Sequence, residues 1–196
     1  MNIKFERANI HHLDVIMEWL SQPHIKDFWD NSEEHRQDII NFVHGRKTPS
    51  PYYQGIYTYW IGSILNSKKE TPFSLIMTSP FEAWVGHSLS KSGKTVTLDF
   101  AIGNTDYLGK DLAAPTLQEF MLFYQLSVEQ SAHIFFIDPD EKNNKAIHVY
   151  KKAGFRQRGR HSITEGYFKG NTNLIMIKFL PQIAVPALNE DKQVFL

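Results

Sequence analysis

Residues 24–30, HIKDFWD, set two large aromatics, Phe28 and Trp29, among two acids, Asp27 and Asp30. That composition serves either as a hydrophobic staple between helices or as the wall of a pocket for a cationic ligand. A second concentration is DPDEKNNKAIHVYKKAGF, residues 138–155. There a strand ends at Asp138-Pro139, a short loop carries Asn143, and a helix displays Ala146, Ile147, Tyr150 and Ala153 near one face. Gly154 stops that helix, with Lys151 and Lys152 well placed for the negative end of its dipole. By residue type alone, Tyr150 is a core tyrosine and Asp138 forms an Asx turn ahead of Pro139. Asp99, in the strand TVTLDFAIG, is by the same standard a turn acceptor. The chain has no Cys, which excludes a Cys nucleophile, a thiolate zinc site and a disulfide framework together. Its 9 His show no metal-like spacing, and His11-His12 reads as a surface pair, so no metal is expected.

The elements that must position these residues are legible from periodicity. Leu13, Ile16, Met17 and Leu20 form a helical stripe that Pro23 closes. Asn31 with Glu34 reads as a capping box, and Ile39, Ile40 and Val43 continue a second helix behind it. Residues 56–65 and 73–79 are β-branched and aromatic strands separated by the polar turn NSKKET. The loop SLSKSGK, residues 88–94, introduces the strand TVTLDFAIG. Leu117, Phe120, Met121, Tyr124 and Val128 predict a further helix, HIFFIDP a buried strand, and two strands close the domain around 156–164 and at LIMIKFL. This order predicts an α+β (mixed α/β) domain over residues 1–180, with helices packed on a largely antiparallel sheet, and a tail over 181–196.

Composition narrows the class. The 196 residues carry 21 basic and 21 acidic side chains, a formal net charge of +0. That balance argues against a general nucleic-acid binder; KSGK and KKAGFRQRGR are short basic stretches that read as solvated edges or phosphate contacts. No apolar run approaches the roughly 18 residues that span a bilayer. The opening MNIKFERANIHHLD is not a secretory signal, so a cytoplasmic location is expected.

Three stretches carry a family resemblance. Asn143, Lys145, Ala146, Ile147, Tyr150, Lys152, Gly154 and Phe155 reproduce N-x-(R/K)-A-I-x-x-Y-x-K-x-G-F, which resembles one half of the GNAT acetyltransferase signature. Upstream, LGKDLA, Leu108–Ala113, resembles the family's pyrophosphate loop, where successive backbone N–H groups and a helix dipole hold phosphate oxygens. EWLSQPHIKDFWD, residues 18–30, resembles the N-terminal segment of aminoglycoside 6'-N-acetyltransferases and of related hydroxamate-siderophore acetylases. Residues 45–93 and the closing strands are poorly matched.

The resemblance implies a GNAT-like fold, a central twisted sheet with helices on both faces, and transfer of acetyl from acetyl-CoA to a primary amine of a small cationic acceptor. The acceptor implied is an aminoglycoside, the chemistry of antibiotic resistance; the alternatives are a siderophore-pathway hydroxylamine or an acyl-CoA-binding module without turnover. The enzyme would act as a monomer or homodimer, with no nucleic-acid or membrane partner. Carried over by position, Tyr150 protonates the departing thiolate, and Asp99 and Asp138 hold or deprotonate the amine. The coenzyme would lie on Phe100, Ala101, Ile102, Leu108, Gly109, Lys110, Asp111, Leu112, Ala113, Asn143, Ala146 and Tyr150. Phe28, Trp29, Asp27, Asp30, Asp99 and Asp138 would line the acceptor side. Two positions depart from the pattern. Leu108 stands where Arg or Gln is common, and Asp111 where Gly is usual. A carboxylate about 5 Å from a phosphate, at an effective dielectric of 20, costs roughly 3 kcal/mol, or about a hundredfold in affinity, unless it turns away, for instance to cap the helix.

Overall fold

The structure, a computed structural model, describes residues 2–66, 69–81 and 94–183. It opens on a strand, β1 (Ile3–Arg7), that the expected order lacks. Its signal is short but regular, Ile3 and Phe5 packed inward and Lys4 and Glu6 turned to solvent partners. Helices α1 (Leu13–Ser21), α2 (Pro23–Lys26) and α3 (Glu33–Val43) follow. Strands β2 (Thr58–Asn66), β3 (Lys69–Phe81) and β4 (Lys94–Ile102) lead to helix α4 (Ala113–Ser127). The chain continues through β5 (Ala132–Ile137), α5 (Asn144–Lys152), β6 (Arg156–Ser162) and β7 (Thr172–Phe179).

The strands form one seven-stranded sheet in the order β1-β2-β3-β4-β5-β7-β6. Every neighbouring pair is antiparallel except β4 and β5. Alternation along β2 and β3 sorts side chains to the two faces. Tyr59, Ile61, Leu75 and Met77 pack with Ile16, Trp19, Leu20 and Ile39 of α1 and α3. Trp60 and Ile76 pack the other way, with Leu117, Phe120 and Met121 of α4 and Ile147 of α5. Helices therefore cover both faces, as expected. β5 is buried along its whole length, which explains its continuous apolar run.

Three local expectations are corrected. Pro23 does not merely end a helix; it occupies the first turn of α2, where its missing N–H costs nothing. The cap of α3 is Ser32, whose hydroxyl accepts from the His35 N–H at 3.3 Å, and not Asn31. Asp30 Oδ1 accepts the Ser32 N–H at 2.8 Å and moves the helix start one residue along. Val128 lies past the end of α4 and is 43% exposed, so it is not part of the buried stripe. Gly154 does take the left-handed conformation (φ +95) after α5. Most of the SLSKSGK loop, part of the NSKKET turn and the tail from residue 184 fall outside the described residues.

Candidate active site

β4 and β5 run together only as far as the pair Thr97↔Phe136. Beyond it β4 continues to Ile102 paired with β3, while β5 is claimed by β7 up to Ile137↔Met176. The two parallel strands therefore part, and the backbone of 98–102 is left open on the β5 side. The gap widens into a cleft of about 1260 Å³. The break is where a parallel sheet offers unpaired backbone N–H groups without an exposed edge.

One end of the cleft is built by the β4 terminus and by the starts of two helices. Phe100, Ala101, Ile102, Leu108, Gly109, Ala113, Asn143, Ala146 and Tyr150 all line it. Gly109 is left-handed (φ +69), with nothing within 4 Å of where a Cβ would stand, so the loop backbone is uncovered before α4. Asn143 caps α5 through its Oδ1, which accepts from the Ala146 N–H at 3.0 Å. Lys110, Asp111 and Leu112 do not line the cleft with the others. Lys110 Nζ lies 5.5 Å from the centre of the Tyr107 ring. Leu112 packs with Ile3, Ile64 and Phe73. Asp111 pairs with Lys152 Nζ of α5 at 3.1 Å, its side chain 89% exposed, and it does not cap α4. It is left-handed (φ 56), which is why a glycine suits this position and why aspartate, tolerant of that region, can replace it.

The other end is aromatic. Phe28 and Trp29 stand there with Asp27 and Asp30, joined by Tyr52, Tyr53, Tyr57 and Phe168. Asp30 is already engaged, since its Oδ2 accepts the Tyr52 hydroxyl at 2.9 Å and its Oδ1 the Ser32 N–H. Its carboxylate thus builds the wall instead of facing a ligand. His24 Nε2 donates to the Ile102 carbonyl at 2.9 Å and ties α2 to the end of β4.

Asp99 and Asp138 face the cleft between these ends, with Tyr150. The Asp99 carboxylate makes no hydrogen bond among the described residues, while its backbone is part of the ladder with β3. Burial, and secondly the charge of Asp138, pushes its carboxyl up to about 7. Asp138 is held, its Oδ2 lying 3.0 Å from His161 Nε2 and 3.2 Å from Asn173 Nδ2. Burial, then the charges of Asp99 and Asp138, raises the Tyr150 phenol well above its ordinary value, so it keeps its proton at neutral pH. The structure thus brings Tyr150, Asp99, Asp138, Phe28 and Trp29 to one cavity. It adds His161, Asn173 and the tyrosines of the 52–57 segment, which the sequence reading missed. The tyrosines had a signal in the aromatic density of PYYQGIYTYW; His161, on an edge strand of polar residues, had none.

The sequence profile of the acetyltransferase (GNAT) domain matches residues 9–163. The chain belongs to the GNAT acetyltransferase family. This GNAT protein is thereby an acetyl-CoA-dependent N-acetyltransferase, as the signature residues led one to expect. It is 25% identical over 158 residues to aminoglycoside N(6')-acetyltransferase type 1 of Klebsiella pneumoniae, covering 80% of this chain and 75% of that one. The crystal structure of an aminoglycoside N(6')-acetyltransferase from Legionella pneumophila superposes with a TM-score of 0.70 and 26% identity, covering 91% of this chain and 94% of that one. AAC(6')-Ib in complex with coenzyme A and kanamycin shares the fold of this GNAT enzyme, with a TM-score of 0.67 and 20% identity over 91% of this chain and 95% of that one. Among the described residues, no group of three His, Asp or Glu side chains is placed to hold a metal ion.

Proposed function

We propose that this enzyme acetylates a primary amine on a small cationic acceptor, in the manner of the aminoglycoside 6'-N-acetyltransferases. The observation that carries the reading is the pair Asp99 and Asp138 facing the cleft with Tyr150 where β4 and β5 part. Two carboxylates in one cavity, one held by donors and the other half-buried without any, divide the labour of binding and proton transfer. The likeness to the Klebsiella and Legionella aminoglycoside enzymes supports the choice of acceptor.

The acyl donor lies along the open side of β4, its pyrophosphate against the loop around Gly109 and the start of α4. Asp138 holds the acceptor's ammonium, and the aromatic wall of Phe28, Trp29 and Tyr57 packs its body. Asp99, poised near neutrality, takes one proton from the ammonium. The freed amine attacks the thioester carbonyl, whose oxygen gathers charge against a backbone N–H of Phe100–Ile102. The C–S bond then breaks, the thiolate leaves with the Tyr150 proton, and the second proton of the new amide nitrogen returns to Tyr150. Asp99 finally gives its proton to solvent. The outward turn of Asp111 removes the carboxylate that would oppose the phosphates, which favours coenzyme binding.

The test is CoA release from acetyl-CoA over a panel of kanamycin, linear polyamines and an N-hydroxylated diamine, with wild type and Tyr150→Phe. Aminoglycoside turnover that drops about a hundredfold in kcat in the variant is expected. Turnover of the hydroxylamine alone would move the enzyme to siderophore chemistry. An unchanged kcat in a folded Y150F protein would remove the phenol as proton donor.

A further inference from the structure

We infer that His161 is a positioning residue for the acceptor: it locks Asp138 in one orientation, so that a single carboxylate oxygen is presented to the substrate's ammonium. The inference rests on the proposed role of Asp138 in holding that ammonium.

Asp138 sits one residue beyond the end of β5, and the chain after it stays tied to β7 through the Leu174 N–H, which donates to the Pro139 carbonyl at 2.9 Å. Its side chain is held by the two strands beyond β5. Asn173 of β7 donates Nδ2 to the Asp138 carbonyl at 2.6 Å and to Oδ2 at 3.2 Å. His161 of β6 brings Nε2 to within 3.0 Å of the same Oδ2. A carboxylate only accepts, so Nε2 carries the hydrogen and His161 donates. Both side-chain donors fall on Oδ2, and Oδ1 takes no hydrogen bond among the described residues. The side chains of His161 and Asp138 are 21% and 31% exposed, and both line the cleft. They are sheltered enough for the bond to matter and open enough for a substrate to reach Asp138.

A carboxylate with neither oxygen committed swings about its last torsion and must be ordered at the moment of binding. With Oδ2 committed, the remaining oxygen is ordered before the acceptor arrives, and preorganisation of this kind is gained as affinity. A structural task accounts poorly for this arrangement. His161 lies on the sheet's edge strand, contributes nothing to the three apolar clusters, and points its ring nitrogen at a carboxylate in the substrate cleft. Asn173 alone would tie the backbone of Asp138 to β7. The histidine adds a second donor to the carboxylate itself.

Three readouts test this on the full-length enzyme: acceptor KM, kcat and thermal midpoint for wild type, His161→Leu and His161→Gln. Each is measured with a cationic amine from the panel and with an O-alkylhydroxylamine, which is uncharged at pH 8. In H161L the KM for the cationic amine is expected to rise about tenfold, with kcat within about threefold and the KM for acetyl-CoA unchanged. The uncharged acceptor should change less than about threefold, because it gains little from an aligned anion. H161Q, whose amide N–H reaches the place of Nε2, should recover most of the loss. Equal losses for both acceptors, a fall in kcat tracking the thermal midpoint, or no recovery in H161Q would overturn the positioning role. If wild type turns over amines and H161L matches it, this inference alone falls. If wild type acetylates no amine, the proposed function falls and takes this inference with it.

Discussion

Asp38 is fully buried and Asp99 half-buried, and they are treated in opposite ways. Oδ2 of Asp38 accepts from the Tyr59 hydroxyl at 2.8 Å and from Arg46 at 2.8 Å, with its side chain fully shielded from solvent. Arg46 also donates to the Tyr57 carbonyl at 3.2 Å, so the pair pins the segment bearing Tyr52 and Tyr57 to α3. Asp30 follows the same pattern with Ser32 and Tyr52. Asp99 has no such donors and opens on the cleft. Donors fix a charge and make it structural. A buried carboxylate denied donors keeps its proton near neutrality and becomes able to exchange it.

The sharpest way to break this contrast is Asp99→Asn. The expected loss in kcat/KM is about a thousandfold, within the range for a removed general base. In wild type, kcat/KM should rise with pH through about 7 as Asp99 ionises, and the variant should lack that limb. Stability should move the other way. The folded-state pKa lies above the unfolded value of about 3.9, so the folded protein binds more protons between about 4 and about 7. The contribution is intact below about 4 and is lost as pH rises through about 7. Asn should therefore stabilise the protein at pH 8, by at most about 4 kcal/mol, and hardly at all at pH 4. Urea unfolding at both pH values reads this. Activity within tenfold of wild type would put Asp99 in the same class as Asp38.

Asp38→Ala should behave as the mirror image. It strands the Arg46 guanidinium in a site only 9% exposed and should destabilise the fold by about 3 kcal/mol. Below its unfolding transition, the variant should keep kcat within a few fold of wild type. A D38A protein that is stable but inactive would show that this buried pair belongs to the chemistry as well.

The sequence disclosed this contrast only in part. Periodicity located the longer helices and most strands, because Ile16, Leu20, Leu117 and Phe120 recur at the spacing that one buried face demands. The Asn143–Phe155 stretch disclosed the family because cap, tyrosine and glycine stop are local in the chain. What decides an aspartate's role is not local. Asp30 and Asp99 are the same residue type near aromatic neighbours, yet the first is silenced by Tyr52, 22 positions away, and the second is left bare because β4 and β5 separate. The His161 contact with Asp138 joins strands that are distant in sequence and depends on the β6-β7 pairing. The 52–57 tyrosines were hidden for a different reason. Tyr52 and Tyr53 lie in a short irregular turn where Tyr53 is itself left-handed, and no periodicity marks such a segment.

The gentlest test concerns a third kind of aspartate, neither pinned in the interior nor poised in the cleft. Asp111 stands where the resemblance puts a glycine, in the loop proposed to hold the pyrophosphate, and its charge there was expected to oppose the coenzyme unless it turned away. Its side chain stands in solvent and meets Lys152 of α5, whose charge offsets it. Asp111→Asn removes the charge while keeping a residue that accepts the left-handed backbone at this position. If the carboxylate is turned outward and screened, acetyl-CoA affinity measured by calorimetry should change less than about twofold. A carboxylate aimed at the phosphates from about 5 Å would instead give about a hundredfold tighter binding in the variant. Such tightening would reverse the orientation of Asp111, and with it the view that only bare, enclosed carboxylates shape the chemistry of this cleft.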